Sequence, residues 1–142
     1  MRLWHYKLLP FLPNSQLVAQ WRELNSIYGK PINHILINYV KEYPKENLLY
    51  YSILVVNELN GRGMRTRMEK FENYFDGYDF ERSFKFNDGD NPFPNHHTDR
   101  YLKQCFYNLQ EKYDRGQVDF DKERYTRLEE FIRNEIQTKR LR

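Results

Sequence analysis

Apolar residues recur at intervals of three and four along most of the chain, the spacing of one face of an α-helix. From Asn14 the stripe is Leu17, Val18, Trp21, Leu24, Ile27 and Tyr28. Asn14 or Ser15 can cap its start, and Gly29 suits the position just past its end. Pro31 fits the first turn of a second helix with the stripe Ile32, Ile35, Leu36, Tyr39, Val40 and Tyr43, which Pro44 stops. A third helix is predicted from Lys45 to Asn60. Leu48, Leu49, Ser52, Ile53, Val56 and Leu59 form its stripe, and Tyr51, Leu54 and Val55 fill other faces, which makes it the central buried helix. Gly61 and Gly63 end it. Thr66-Arg67-Met68-Glu69 then has the form of a capping box ahead of a short helix carrying Phe71, Tyr74 and Phe75.

Residues 76–97 break the period. The segment contains Gly77, Gly89, Pro92, Pro94 and a turn-like Asn87-Asp88-Gly89-Asp90, and the spacing Phe80/Arg82/Phe84/Phe86 allows a short strand at most. A loop of about 20 residues within a domain is often functional. Thr98 caps a fifth helix bearing Leu102, Cys105, Phe106, Leu109 and Tyr113, ended by Gly116. Asp119 or Asp121 opens a sixth, with Tyr125, Leu128, Phe131, Ile132 and Ile136. The basic tail Lys139-Arg140-Leu141-Arg142 is expected to fray. The pattern predicts an all-α fold of about six helices in one domain spanning residues 1–142.

Composition narrows the classes. The 142 residues hold 12 Tyr, 10 Phe and 2 Trp, so rings can fill much of the core. The longest uncharged apolar-rich run, Asn47–Asn57, is about half of the ~20 residues a membrane span needs. The first residues lack the continuous apolar stretch of a signal peptide, and a cytoplasmic location is expected. One cysteine, Cys105, excludes a disulfide scaffold and a cysteine-ligated zinc site, and reads as a core residue. The net charge is +3, unevenly spread: residues 1–75 are net +4, 76–97 net −3 and 98–142 net +2. A mild basic excess is compatible with a polyanionic partner without requiring one.

Few residues are arranged for chemistry. The histidines His5, His34, His96 and His97 show no helical ligand spacing and read as surface or loop residues, so no metal is expected. Gly61-Arg62-Gly63 is too short for a nucleotide-phosphate loop and reads as a helix stop. Asp88 and Asp90 are explained by turn chemistry. Arg62, Arg65, Arg67 and Lys70 form a local basic cluster that is either a solvated face or a phosphate-contacting turn. The most informative element is Trp21-Arg22-Glu23-Leu24. A glutamate one residue off a core stripe is either a solvated partner of Arg22 or a cleft-rim acid whose pKa is lifted by partial desolvation.

The segment Gln16-Leu17-Val18-Ala19-Gln20-Trp21-Arg22-Glu23-Leu24-Asn25-Ser26-Ile27-Tyr28-Gly29, followed by His34, resembles the phage-type pyrimidine-dimer DNA glycosylases, the small helical endonuclease V type. The opening Met1-Arg2-Leu3-Trp4-His5, with Leu9-Pro10 and Leu12-Pro13, resembles bacterial proteins grouped with that family. The close match covers residues 1 to about 40. Beyond it, a Tyr101-Leu102 to Asn108-Leu109 stretch is also similar.

The resemblance implies attack by an α-amino group without metal or cofactor. Such an amine titrates near pH ~8, against ~10.4 for lysine, so more of it is neutral at physiological pH. It implies Glu23 as the family's essential glutamate and Arg22 and His34 as contacts to duplex DNA. Family members expose a threonine amine after loss of methionine. Here Arg2 is too large for that trimming, which makes the Met1 amine the candidate nucleophile. Ser26 stands where the family carries a second basic residue. Arg2, Lys30, Arg62, Arg65 and Arg67 are further phosphate candidates. The aromatic loop Tyr78–Phe93 either replaces an aromatic C-terminal loop of the family or caps the core.

Three readings follow: a DNA repair glycosylase with abasic-site lyase activity, a catalytically silent DNA-binding module of the same fold, and a helical protein-interaction domain.

Overall fold

The computed structural model describes residues 1–140, with side chains through Thr138, and within them the structure is all helical without a strand. Six α-helices are present: α1 (Asn14–Gly29), α2 (Lys45–Gly61), α3 (Glu69–Tyr74), α4 (Phe80–Ser83), α5 (Asp99–Asp114) and α6 (Lys122–Arg140). Two 3-10 helices, Tyr6–Phe11 and Asn38–Glu42, complete the set. The rest of the basic tail, Leu141 and Arg142, lies outside the described residues. No described helix is long and apolar enough to cross a membrane.

Helix α2 is the central element, as its all-round apolar pattern requires. Leu48, Leu49, Tyr51, Val55 and Leu59 are almost wholly buried, and Ser52 hides its hydroxyl by donating to Leu48 O at 2.7 Å. Helix α1 packs across it through Leu17, Trp21, Leu24 and Ile27, and the Tyr28 hydroxyl meets Ser52. Val18, expected in the stripe, is 39% exposed, and its place inside is taken by Gln20 at 0%. Helix α5 buries Leu102, Cys105, Phe106 and Leu109, with Thr98 accepting from Tyr101 N at its start. Gly63 and Gly116 hold the positive φ that lets α2 and α5 turn away. Gly29 has no such φ and simply ends α1.

The helix starts differ from the sequence expectation in two places. Pro13 holds the cap position of α1 and has no side-chain bond to give. Its orphan Ser15 N–H is met instead by Asp119, 104 residues away, at 2.6 Å. Asp121 opens α6, accepting from Arg124 N at 2.8 Å. The capping box at Thr66 does not form. Helix α3 begins at Glu69 behind Met68, and Thr66 turns its hydroxyl to the Met68 sulfur.

The predicted second helix is not an α-helix. Residues 31–37 are irregular, followed by the 3-10 turn Asn38–Glu42. Side chains compete here for backbone donors: Asn38 Oδ1 accepts from His34 N at 2.8 Å and His34 Nδ1 accepts from Leu36 N at 3.2 Å. The β-branched Ile32, Ile35 and Ile37 add little helical preference to resist that. Ile37 and Val40 are buried, whereas Ile35 and Leu36 are exposed.

The long segment 76–97 holds the turn α4 where a short strand was conceivable, and otherwise caps the core. Phe93 is fully buried against Tyr39, Tyr43 and Tyr51, and Phe86 stacks flat on Tyr50. Asn47 Nδ2 donates to Pro92 O, and the Tyr50 hydroxyl to Asp90 O.

The histidines also depart from expectation, because His5 and His97 are both 2% exposed. The ring of His97 accepts Tyr6 N–H on Nδ1 at 3.2 Å and meets the Tyr39 hydroxyl at Nε2. His5 accepts Lys7 N–H on Nδ1, and its Nε2 donates to His97 O. His96 turns the other way, to the Tyr43 hydroxyl and Glu42. Burial, then the neighbouring His5 and His96, push the His97 pKa well below the usual histidine value. In the unfolded chain His97 takes up a proton near pH ~6.5. The folded state refuses it, so this stability is present above pH ~6.5 and is lost as pH falls. Urea denaturation is expected to give a stability independent of this group above pH ~7. Below pH ~6 it should decline by up to about 1.4 kcal/mol per pH unit. A flat acid limb would contradict the neutral, buried ring.

Candidate functional site

The first residues of the chain are threaded into the core rather than left loose. Leu3, Trp4 and His5 are all buried, whereas Met1 is 45% exposed. Such a segment has no helix to satisfy its backbone, so side chains must do so. The Gln20 carboxamide does most of the work: its Oε1 accepts from Trp4 N at 2.8 Å and its Nε2 donates to Arg2 O at 3.0 Å. Tyr51 shares its hydroxyl proton between Trp4 O at 2.7 Å and Gln20 Oε1 at 2.9 Å. Tyr101 donates to Leu3 O at 2.6 Å. Three helices, α1, α2 and α5, therefore each hold the segment by one polar side chain.

The second N–H of the Gln20 amide donates to Glu23 Oε2, also at 3.0 Å. Positions three apart share a helix face. One side chain therefore bridges the start of the chain and the acid one turn along α1. Glu23 is half-buried. Burial raises its pKa above the usual carboxylate value, and the Met1 ammonium, the Arg2 backbone N–H, Arg22 and Gln20 pull it only partly back. Arg2 lays its guanidinium over the Trp4 ring at 5.5 Å.

A groove of about 540 Å³ runs between α1 and the segment leading into α3. Trp21, Arg22, Asn25 and Ser26 line one side, and Arg65, Arg67, Glu69 and Lys70 the other. Four cations face one carboxylate there. The Trp21 indole N–H is buried with no acceptor among the described residues. A second hollow of about 420 Å³, lined by Tyr28, Gly29, Lys70, Asn73 and Tyr74, shares Lys70 with the first.

The structure thus ties the Arg2 backbone to Glu23 through Gln20, and sets Arg22, Arg65 and Arg67 along one groove. Lys30 caps the end of α1, next in the chain to Gly29 of the second hollow. His34 braces its own turn. Arg62 departs from the phosphate role expected of it. Its guanidinium is spent on Glu58, Asn14 and the carbonyls of Leu9, Pro10 and Leu12, joining α2 to the N-terminal segment. The sequence reading missed Gln20, because a glutamine in a helix carries no signal until the segment it clamps is known. It also missed Tyr51 and Tyr101 as anchors of the N-terminal backbone. Among the described residues no group of three or more His, Cys, Asp or Glu is placed to hold a metal ion.

Comparison with known proteins bears on this half of the molecule. The sequence model of the pyrimidine dimer DNA glycosylase family matches residues 1–72. The chain belongs to that family. The matched stretch contains the clamped N-terminus, Glu23 and every residue lining the basic groove. No curated protein and no solved structure matches the chain. The family acts on DNA, and the all-helical fold agrees with the expectation from periodicity.

Replacing Gln20 by leucine removes four hydrogen bonds and leaves the buried Trp4 N–H and Arg2 carbonyl unpaired. A loss of about 2–4 kcal/mol in chemical denaturation is expected. A loss below ~0.5 kcal/mol would show that the N-terminal segment is not held this way.

Proposed function

We propose that the protein is a DNA glycosylase with abasic-site lyase activity, in which the Met1 amino group is the nucleophile and Glu23 the proton carrier. The observation that carries this reading is the Gln20 clamp, which joins the Arg2 carbonyl, one residue from the amine, to the half-buried Glu23 carboxyl. A neutral amine attacks C1′ of the damaged nucleotide's deoxyribose. The glycosidic bond breaks and the base leaves with the bonding electrons; the C1′–O4′ bond then opens, O4′ takes up a proton, and an iminium joins the amine to the opened sugar. Glu23 as carboxylate stabilises the cationic sugar. It then accepts a proton as the imine forms and moves protons during β-elimination of the 3′ phosphate. Water finally releases the enzyme. Arg22, Arg65, Arg67 and Lys70 hold the DNA backbone in the groove, and Lys30 and His34 extend that face. Arg2 lies close enough to the reacting end to add positive charge. The groove's charge favours this over a protein-interaction role.

Borohydride is expected to trap a covalent adduct with abasic or dimer-containing duplex. Glu23→Gln should lose turnover by at least ~100-fold, the usual scale for a removed acid–base group, while duplex binding persists. Turnover should also fall at acid pH with an apparent pKa above the ordinary glutamate value, because burial raises Glu23. An unimpaired Glu23→Gln variant would remove Glu23 from the chemistry.

The groove makes a separate electrostatic demand. Arg65→Ala with Arg67→Ala is expected to weaken duplex binding about equally for damaged and undamaged DNA, and to reduce the salt slope by about 2. An unchanged slope would place the DNA elsewhere.

A further inference from the structure

The imidazoles of His5 and His97 lie against each other inside the core. Their ring centroids are 5.2 Å apart and the rings are 22° from parallel. The partners fix where each ring carries its proton, because a backbone N–H can only donate and a backbone carbonyl can only accept. Tyr6 N–H meets His97 Nδ1 and Lys7 N–H meets His5 Nδ1, so both Nδ1 atoms are bare. The His5 proton is on Nε2 and goes to His97 O at 3.2 Å. The His97 proton is on Nε2, facing the Tyr39 hydroxyl at 3.0 Å. Two lone pairs thus receive the first N–H groups of the 3-10 helix Tyr6–Phe11, where the buried N-terminal segment ends.

Those lone pairs are also where an imidazole takes up a proton. A proton on His97 Nδ1 removes the acceptor of Tyr6 N–H and sets one N–H against another. The surroundings do not absorb the new charge. Tyr6 and His5 face the His97 ring from the N-terminal side, Tyr39 from the turn Asn38–Glu42, Tyr51 from α2 and Tyr101 from α5. Each is neutral or turns positive as pH falls. His96, next in the chain, adds repulsion of the same sign and pairs outward with Glu42. Cys105 on α5, kept a thiol by burial, accepts the His5 backbone N–H. Arg2, which acts on Tyr101 and Cys105, is positive too, and the Glu23 carboxylate acts on Tyr51. The segment that would have to move is short and has no helix of its own. It opens at less cost than α1, α2 and α5, each of which buries a whole face.

We propose that the stacked His5–His97 pair is an acid-sensitive latch on the N-terminal segment. A solvent proton taken up by His97 Nδ1 frees Tyr6 N–H, the segment leaves the core while the main helices stay folded, and the amine site comes apart. Its effect on activity rests on the reading that the Met1 amine is the nucleophile. The release is reversible, because loss of the proton restores the acceptor. Burial and the two neighbouring imidazoles hold the ring neutral at ordinary pH, so the latch opens only below pH ~6. The Trp4 backbone, held by Gln20 and Tyr51, is the part of the segment whose departure reports the opening.

The test follows amide hydrogen exchange in the full chain from pH ~7 to pH ~4.5, with intrinsic exchange rates divided out. At the acid end the Trp4 and Tyr6 amides should lose protection by at least ~100-fold more than those of Leu49 and Val55 in α2, with helical circular dichroism retained. His97→Asn offers a side-chain oxygen near the Nδ1 position that accepts a hydrogen bond and takes up no proton, so it should keep the Tyr6 amide protected throughout. On abasic duplex, trapping by cyanoborohydride should fall about 10-fold further with acid in the parent than in His97→Asn. Glu23 and the amine titrate in both proteins, so the difference isolates the latch. Should His97→Asn not fold, the imidazole resonances of the parent decide: His97 should take its proton at the pH where the Tyr6 amide opens. Equal loss of protection in the N-terminal segment and α2, protection unmoved by acid, the same acid loss of trapping in the folded variant, or a His97 titration at another pH overturns the latch. No adduct at any pH, with the exchange results as expected, removes the amine reading and upholds the latch.

Discussion

One buried carboxamide fixes the geometry on which the rest depends. Gln20 satisfies the backbone on both sides of Leu3 and spends its last proton on Glu23. Each of these bonds alone is worth about 1 kcal/mol. Their value lies in being made by one planar group, which cannot hold the N-terminal segment without also orienting the acid. The course of the chain from Arg2 to Trp4 is therefore set by side chains of α1 and α2.

The residues that do the proposed chemistry and those that hold them in place come from different parts of the chain. The amine, the acid and the basic groove all lie within residues 1–72. Their support reaches in from outside: Tyr101 on α5 holds Leu3 O, and His97 receives Tyr6 N–H. The aromatic segment 84–97 packs on Tyr50 and Tyr51 of α2, with Phe93, His5 and His97 buried there. Arg62 and Asp119 bind distant carbonyls and amides at the other end of α1. The N-terminal segment thus runs through the core, held by side chains of α1, α2 and α5.

The sequence was informative where structure is periodic and local. Helices α1, α2, α5 and α6 stand close to their expected bounds, since each buries a face long enough to declare itself. The 31–43 segment misled because its stripe is genuine but its backbone donors are captured by His34 and Asn38, a local competition that hydrophobic spacing does not register. The burial of His5 and His97, the cap that Asp119 gives α1, and the structural use of Arg62 all depend on partners 50 or more residues away. The Arg22–Glu23 pair was legible as a candidate through its place beside the stripe. What sets Glu23 apart from a solvated partner of Arg22 is its half-burial beside Gln20 and the N-terminal segment, and neither is visible until the chain is folded.

The central claim is that the amine joined to the sugar belongs to Met1. Borohydride-reduced adduct on abasic duplex, digested by nuclease and protease and mapped by mass spectrometry, reads this directly. The deoxyribose remnant should sit on the α-nitrogen of the N-terminal peptide and should disappear when that amine is blocked. A remnant on a lysine Nζ, or an adduct that survives blocking, would contradict the account.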